Sequence, residues 1–275
     1  MPLILEYGDL WNLAPYPLYK NIIFKTLSEW LERKVLKDVA YVAVTTPTAK
    51  TKMLEKYPFL QKDKIDVHYY GWAREDFIHL EESKFISKKP IKIGYAGTFT
   101  GYQTPEYFLD AFAELVNKKK ITINDFEFHF LGNYSKEIRE LFKKPPVRQI
   151  IHLHPYMPHQ ECLAFMKQMN YLAIFLGGGN RSNVVIPGKL FDYLALKVPI
   201  IGFSHKGGDL WNILEKYGFP IAEFDDINEN MKLILNLMKQ KTVQCLTDEE
   251  LKIYEKKYIC SLLAKNIKRI IEQEK

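Results

Sequence analysis

At 275 residues the chain has room for about two domains, and a composition of 47% apolar and 26% charged residues excludes a disordered or fibrous protein. The net charge of +6, from 39 Lys and Arg against 33 Asp and Glu, favours anionic ligands or membrane surfaces and does not imply nucleic acid. Cys162, Cys245 and Cys260 lie too far apart for a disulfide framework or a CxxC zinc site, and no apolar run approaches the roughly 18 residues of a membrane span. The opening MPLILEYGDLW has Glu6 and Asp9 where a signal peptide would be apolar, so a cytoplasmic location is expected.

Short β-branched or apolar runs alternate with stretches of helical period, the pattern of βα units feeding a parallel sheet, so the fold class is α/β. Strands are predicted at Leu3 to Tyr7, Ala40 to Thr45, Ile65 to Tyr69, Ile91 to Tyr95, Glu127 to Leu131, Ile150 to His154, Leu172 to Leu176, Pro199 to Phe203 and Pro220 to Glu223. Three- and four-residue apolar spacing predicts helices over 18–36, 48–57, 105–117, 135–143, 159–169, 188–196, 209–217 and 227–239, and one long Lys/Glu-rich helix over 248–273. Between Trp72 and Pro90 the periodicity is lost in a charged stretch, which divides the chain into a partial first lobe (1–80), a complete doubly wound second lobe (81–245) and a terminal helix (246–275).

In open parallel sheets ligands bind beyond the carboxyl ends of the strands. Four strand-end loops are rich in Gly and small polar residues: Gly97 to Gly101, Gly132-Asn133, Gly177 to Asn183, and Ser204 to Asp209. The run NRSNVVIPGKLFDYLALKVP is the most informative. Pro187 suits a first helical turn, Gly188 permits close backbone approach, and Lys189 adds a point charge beside the helix-start amides, together a cradle for a diphosphate. Asp192, one turn on, has two oxygens that match a sugar diol. A capped surface helix with an exposed Asp explains the same spacing without a ligand.

The segment PGKLFDYLALKVPII resembles the P-x-K-L-F-E-Y-L-A-x-G-x-P-I-I signature of family-4 retaining glycosyltransferases of GT-B fold. IKIGYAGTF, FEFHFLGN and IIHLHPYMPHQECLAFMKQMNYLAIF resemble the strands and loops of that family's donor lobe. MPLILEYGDLW and the stretch from ERKVLKDVAYVAVTTPTAK to GWAREDF resemble parts of its first lobe, beginning partway into the family's pattern. The resemblance implies a GT-B-like chain with a Rossmann-like donor lobe behind a truncated Rossmann-like acceptor-side lobe.

It also implies a nucleotide diphosphate sugar donor, a carbohydrate or lipid-linked acceptor, and a role in polysaccharide biosynthesis. Transfer would proceed with retention and without a metal or other cofactor. Peripheral contact with the inner face of the membrane is a further expectation, and the terminal helix is expected to pack across to the first lobe. Donor contacts carried over from the resemblance are Gly97, Thr98, Gly132, Asn133, Tyr156, Met157, Asn180, Ser182, Pro187, Gly188, Leu190, Asp192, His205, Gly207 and Gly208, with Asp209 closing the last glycine turn near the sugar. Asp9, Arg181 and Lys189 are the catalytic candidates, with Lys206 an alternative cation for the leaving diphosphate.

Two departures stand out. Val184 lies where many relatives carry a Glu against the sugar, and Gly8 where relatives with an H-D-L-W strand place a histidine. They leave open a degenerate nucleotide-binding chain without turnover, or one subunit of a split enzyme whose partner completes the first lobe. A nicotinamide-dependent oxidoreductase fits poorly, because no G-x-G-x-x-G follows a first strand. The acidic run Glu223 to Asp226 is expected to cap a helix. His152 and His154 share one strand face and are expected to be packing or surface residues ahead of ligands. Tyr134, Tyr156 and Trp211 stay open as ligand-edge aromatics.

Overall fold

The computed structural model describes residues 2–13, 19, 21–80, 89–99, 103–239 and 245–273, with the side chains of Asn180, Arg181 and Gln273 outside that description. The expected lobe boundary at 81 falls at the start of residues 81–88, also outside it. In chain order the elements are β1 (Leu3–Tyr7), α1 (Ile22–Lys37), β2 (Val39–Val44), α2 (Pro47–Lys56), β3 (Ile65–Val67), β4 (Ile91–Ala96), α3 (Glu106–Asn117), β5 (Phe126–Leu131), α4 (Lys136–Lys143) and β6 (Ile151–His154). There follow α5 (His159–Met166), β7 (Tyr171–Leu176), α6 (Lys189–Leu196), β8 (Ile200–Ser204), α7 (Asp209–Lys216), β9 (Ile221–Glu223), α8 (Ile227–Leu237), α9 (Asp248–Lys252) and α10 (Lys256–Gln273).

All the strand pairs are parallel. They form a three-stranded sheet ordered β1-β2-β3 and a six-stranded sheet ordered β6-β5-β4-β7-β8-β9, the doubly wound order in which the chain reverses direction at its middle. One face of the large sheet carries a phenylalanine-rich core, with Phe108 and Phe112 of α3 against Phe126, Phe128, Phe175 and Phe203. The other packs Leu172, Ile174 and Ile200 against Leu190, Phe191 and Leu194 of α6. Burial on both faces explains why β7 and β8 read as continuous apolar runs. Helix starts follow local rules: Thr46 accepts from Ala49 N with Pro47 just inside α2, and Asp226 accepts from Asn228 N and Glu229 N at the start of α8. The cap expected in the acidic run is therefore Asp226.

The single C-terminal helix expected over 248–273 is broken. Between α9 and α10 the backbone is pinned by a distant residue: Trp72 N donates to Tyr254 O (2.9 Å) and Lys256 N donates to Trp72 O (2.9 Å). Arg74 clasps Glu255 through two bonds of 3.0 and 3.2 Å. The break leaves α10 against the small sheet, where Leu263 and Ile270 meet Tyr41 and Ala43, and Asn266 Nδ2 donates to Tyr41 Oη (2.7 Å).

Helix α1 inverts the usual amphipathic rule. Its buried residues include Ser28 and Glu32, whereas Ile22, Ile23, Phe24, Leu27 and Trp30 are exposed. Glu32 accepts from Asn12 Nδ2 (2.7 Å) and from the Tyr57 hydroxyl, so a polar network seats the helix. Burial, with the Glu32 carboxylate beside it, pushes the Tyr57 hydroxyl far above the usual phenol range.

Candidate functional site

The crevice favoured by topology lies beyond the carboxyl ends of β4 and β7, the two central strands of the large sheet. The chain leaves β4 through Gly97 at φ +124° and leaves β5 through Gly132 at φ +138°, backbone conformations that favour glycine. The two loops touch, since a Cβ on Gly132 would come within 2.6 Å of Gly97 O. A Cβ on Gly97 would come within 2.8 Å of Lys189 Nζ, so the lysine of α6 sits directly over this glycine.

Lys189 is largely buried. Its ammonium donates to Tyr95 Oη (2.7 Å) and lies 3.9 Å from the centroid of the same ring. Tyr95 Oη in turn donates to Thr98 O (3.0 Å), and its ring stacks on Phe99 at 4.3 Å. Ala96 N donates to Tyr193 Oη (2.9 Å), which fixes the end of β4 to α6. Burial pulls the Lys189 amine down to about 7. The positive charge is thus held at the edge of ionisation, where an incoming anion would restore it.

Pro187 is buried at the start of α6, and Gly188 is exposed with open space around it. The Leu190 side chain is fully buried and its N–H donates to Pro187 O (2.9 Å). Ser182 is buried too, and its hydroxyl donates to Gly179 O (3.0 Å). Thr98 and Asn133 are exposed on their loops, Tyr156 is 75% exposed, and Met157 packs at the edge of the α6 core. Gly207 faces open space, whereas Gly208 is buried against Asn183. The side chains of Asn180 and Arg181 lie outside the described residues.

Several partners were not foreseen from the sequence. Asp192 Oδ2 lies 3.1 Å from His159 Nε2, at the start of α5. Burial raises the Asp192 carboxyl, and the His159 contact partly offsets this. His205 Nδ1 pairs with Glu223, and Lys206 N donates to the same carboxylate (3.1 Å) while its ammonium lies 3.2 Å from Glu229. Lys206 is therefore turned toward β9 and α8. The Tyr134 hydroxyl is buried and has no hydrogen-bond partner among the described residues, its ring against Phe99. Trp211 is buried too, under the Lys206 ammonium.

Two residues close the join between the sheets. Asp209 closes the glycine turn but is directed away from it, accepting from Thr48 N (3.1 Å) and Thr48 Oγ1 (2.9 Å) at the start of α2. Val184 is buried in the small-sheet core, and Thr46 Oγ1 donates to its carbonyl (3.0 Å). Position 184 thus closes the interface. A pocket beside this join is lined by Gly8, Asp9, Thr45, Tyr70 and Val184 to Ile186. Tyr70 Oη donates to Gly8 O (2.9 Å) and fills the space a side chain at position 8 would enter, 3.2 Å from where its Cβ would be. Asp9 stands exposed at the rim.

A doubly wound six-stranded unit with a glycine-and-lysine crevice, joined to a smaller parallel unit and strapped by the terminal helix, defines a GT-B-like α/β protein. No protein-family model matches the sequence, and no curated protein matches it. Among solved structures the chain is similar to sucrose-phosphate synthase from Thermosynechococcus elongatus, with TM-score 0.67 and 13% identity over 98% of this chain and 68% of that one. It is also similar to HepE from Anabaena in complex with UDP and glucose (0.64, 12%, 98% and 72%) and to a glycosyltransferase from Rickettsia africae (0.64, 14%, 98% and 70%). At these identities the likeness is one of fold, and that fold is the Rossmann-like GT-B architecture of glycosyltransferases. The comparisons lend no support to a second chain completing the first lobe. Among the described residues no helix is long and apolar enough to cross a membrane.

Proposed function

We propose that the chain is a glycosyltransferase that takes a nucleotide diphosphate sugar in the crevice beyond β4 and β7 and transfers the sugar, with retention and without a metal, to a carbohydrate or lipid-linked acceptor. The observation that carries this reading is the convergence of Lys189, Gly97 and Gly132 on one point at the topological switch. In such a reaction the departing diphosphate gathers negative charge, and a preorganised cation beside backbone loops stabilises it most. Lys189 fills that role in the proposal, Asp192 faces the ribose side, and Asp9 approaches the acceptor side from the neighbouring pocket. HepE holds UDP and glucose, which makes UDP the first probe.

The test is calorimetric titration of the chain with UDP, GDP and ADP, repeated with Lys189→Ala and Asp192→Ala. Binding of one diphosphate that both substitutions weaken at least tenfold is expected. Binding indifferent to both would overturn the assignment.

The pH dependence is a sharper check. Because the free Lys189 is neutral above about pH 7 and a diphosphate favours its charged form, binding above that pH takes up a proton. Affinity should then fall by up to about tenfold per pH unit between roughly 7 and 9. The slope should vanish in Lys189→Ala. A nucleotide-binding chain without turnover is the second reading, favoured by Val184 lying in the interface and by Gly8. Sugar transfer by the purified chain would overturn it.

A further inference from the structure

Away from the crevice, at the outer edge of the large sheet, β5 and β6 bring four side chains to one face. The parallel register sets His129 opposite His152 and Leu131 opposite His154, and the period of two places Glu127 on the same side as His129. His129 Nε2 lies 3.3 Å from Glu127 Oε2, its Nδ1 lies 3.0 Å from His154 Nε2, and its ring stacks on His152 at 4.8 Å between centroids. Phe165 of α5 floors the cluster, 5.8 Å from His129 and 4.6 Å from His154. Donor atoms of Glu127, His129 and His152 all lie within 4.8 Å of one another.

We propose that Glu127, His129 and His152 form a binding site for a transition-metal dication of the zinc class, separate from the nucleotide crevice. Zinc bonds to imidazole nitrogen and carboxylate oxygen of about 2.0–2.2 Å set neighbouring tetrahedral ligand atoms about 3.3 Å apart. The Glu127–His129 pair already stands at that separation. His152 is the exposed member, and rotation of its side chain out of the stack on His129 would close the remaining gap of at most about 1.5 Å.

With the ion on His129 Nε2, the Nδ1–H donates to His154 Nε2. A metal-bound imidazole normally has such an outer partner to fix its tautomer and orientation. Lys92, whose ammonium lies 4.0 Å from Glu127 and is half exposed, withdraws to solvent as the ion enters. Two ligands on β5 and one on β6 would tie the edge strand to its neighbour, just before the loop that carries Tyr156 and Met157. The fourth coordination position stays open to water.

A second cluster, His205 with Glu223 and Asp225, has comparable spacing. There both Glu223 oxygens already hold partners, His205 Nδ1 and Lys206 N. It serves as the control.

The experiment is calorimetric titration of the chelator-treated chain with Zn2+, paired with the visible absorption of Co2+ as a reporter of ligand geometry. One ion per chain is expected, lost in His152→Ala and in Glu127→Gln and retained in His205→Ala. His152 is exposed, so its removal leaves the fold intact, and circular dichroism of each variant checks this. His154→Ala, which removes only the outer partner, should weaken binding by about 10–100-fold. Absence of stoichiometric uptake, or uptake at full affinity in His152→Ala, overturns the proposal. A change in UDP affinity plays no part in this test, so its outcome is independent of the nucleotide reading.

Discussion

The two sheets of this molecule were built by opposite means. The six-stranded unit is held by apolar packing on both faces, with Phe112, Leu172, Leu190 and Ile200 at 0% exposure. The three-stranded unit buries five of the six residues of β2, but seats its main helix through Ser28 and Glu32 and leaves the helix's apolar side to solvent. Amphipathicity thus predicts that a helix will form without predicting which side faces inward. A carboxylate with good donors can take the buried side when the surrounding tyrosines and asparagine supply them.

Substitutions in the two units would break or sharpen this contrast. The largest effect is expected at Phe112→Ala, which opens a cavity in the aromatic core and should cost about 3–5 kcal/mol in urea unfolding. A loss below 1 kcal/mol would mean the core is far looser than its packing implies. Next, Glu32→Ala strands the Asn12 amide and the Tyr57 hydroxyl and should cost about 3 kcal/mol, the scale of hydrogen bonds to a buried charge. Unchanged unfolding would show that the polar network does not seat α1.

Asp209→Ala removes the acceptor that joins α7 to the start of α2, and about 2 kcal/mol is expected. If the two sheets then unfold in separate transitions, this carboxylate is a principal tie between them. The smallest effect belongs to Leu27→Ser, at a residue 50% exposed on the apolar side of α1, which should change stability by less than about 0.5 kcal/mol. A loss of 2 kcal/mol there would reveal that this side is covered in solution.

Much of the candidate site was legible in the chain. Strand-end glycines and a Pro-Gly-Lys helix start mark Gly97, Gly132 and Lys189 in the sequence, and the fold brings those three together. Nothing marks Tyr95 and Tyr193, because each looks like an ordinary core aromatic until its hydroxyl meets Lys189 or Ala96 N. Leu190 and Ser182 look like site residues because of their neighbours, yet burial turns them inward. The pairing of Asp192 with His159 spans 33 positions and leaves no trace in local spacing.

What the sequence determined by itself was short in range. It set the nine strands, each within two residues of its observed ends, the helix cap in the acidic run at Asp226, and the α/β class, because periodicity and capping depend on near neighbours. Tertiary structure alone decided the break between α9 and α10, made by Trp72, and the face of α1 that turns inward. It also decided the capture of Asp209 by Thr48 across 161 positions and the meeting of His129 with His152. Each of these rests on a hydrogen bond or register between segments far apart in the chain, and only the packed fold brings such partners within reach.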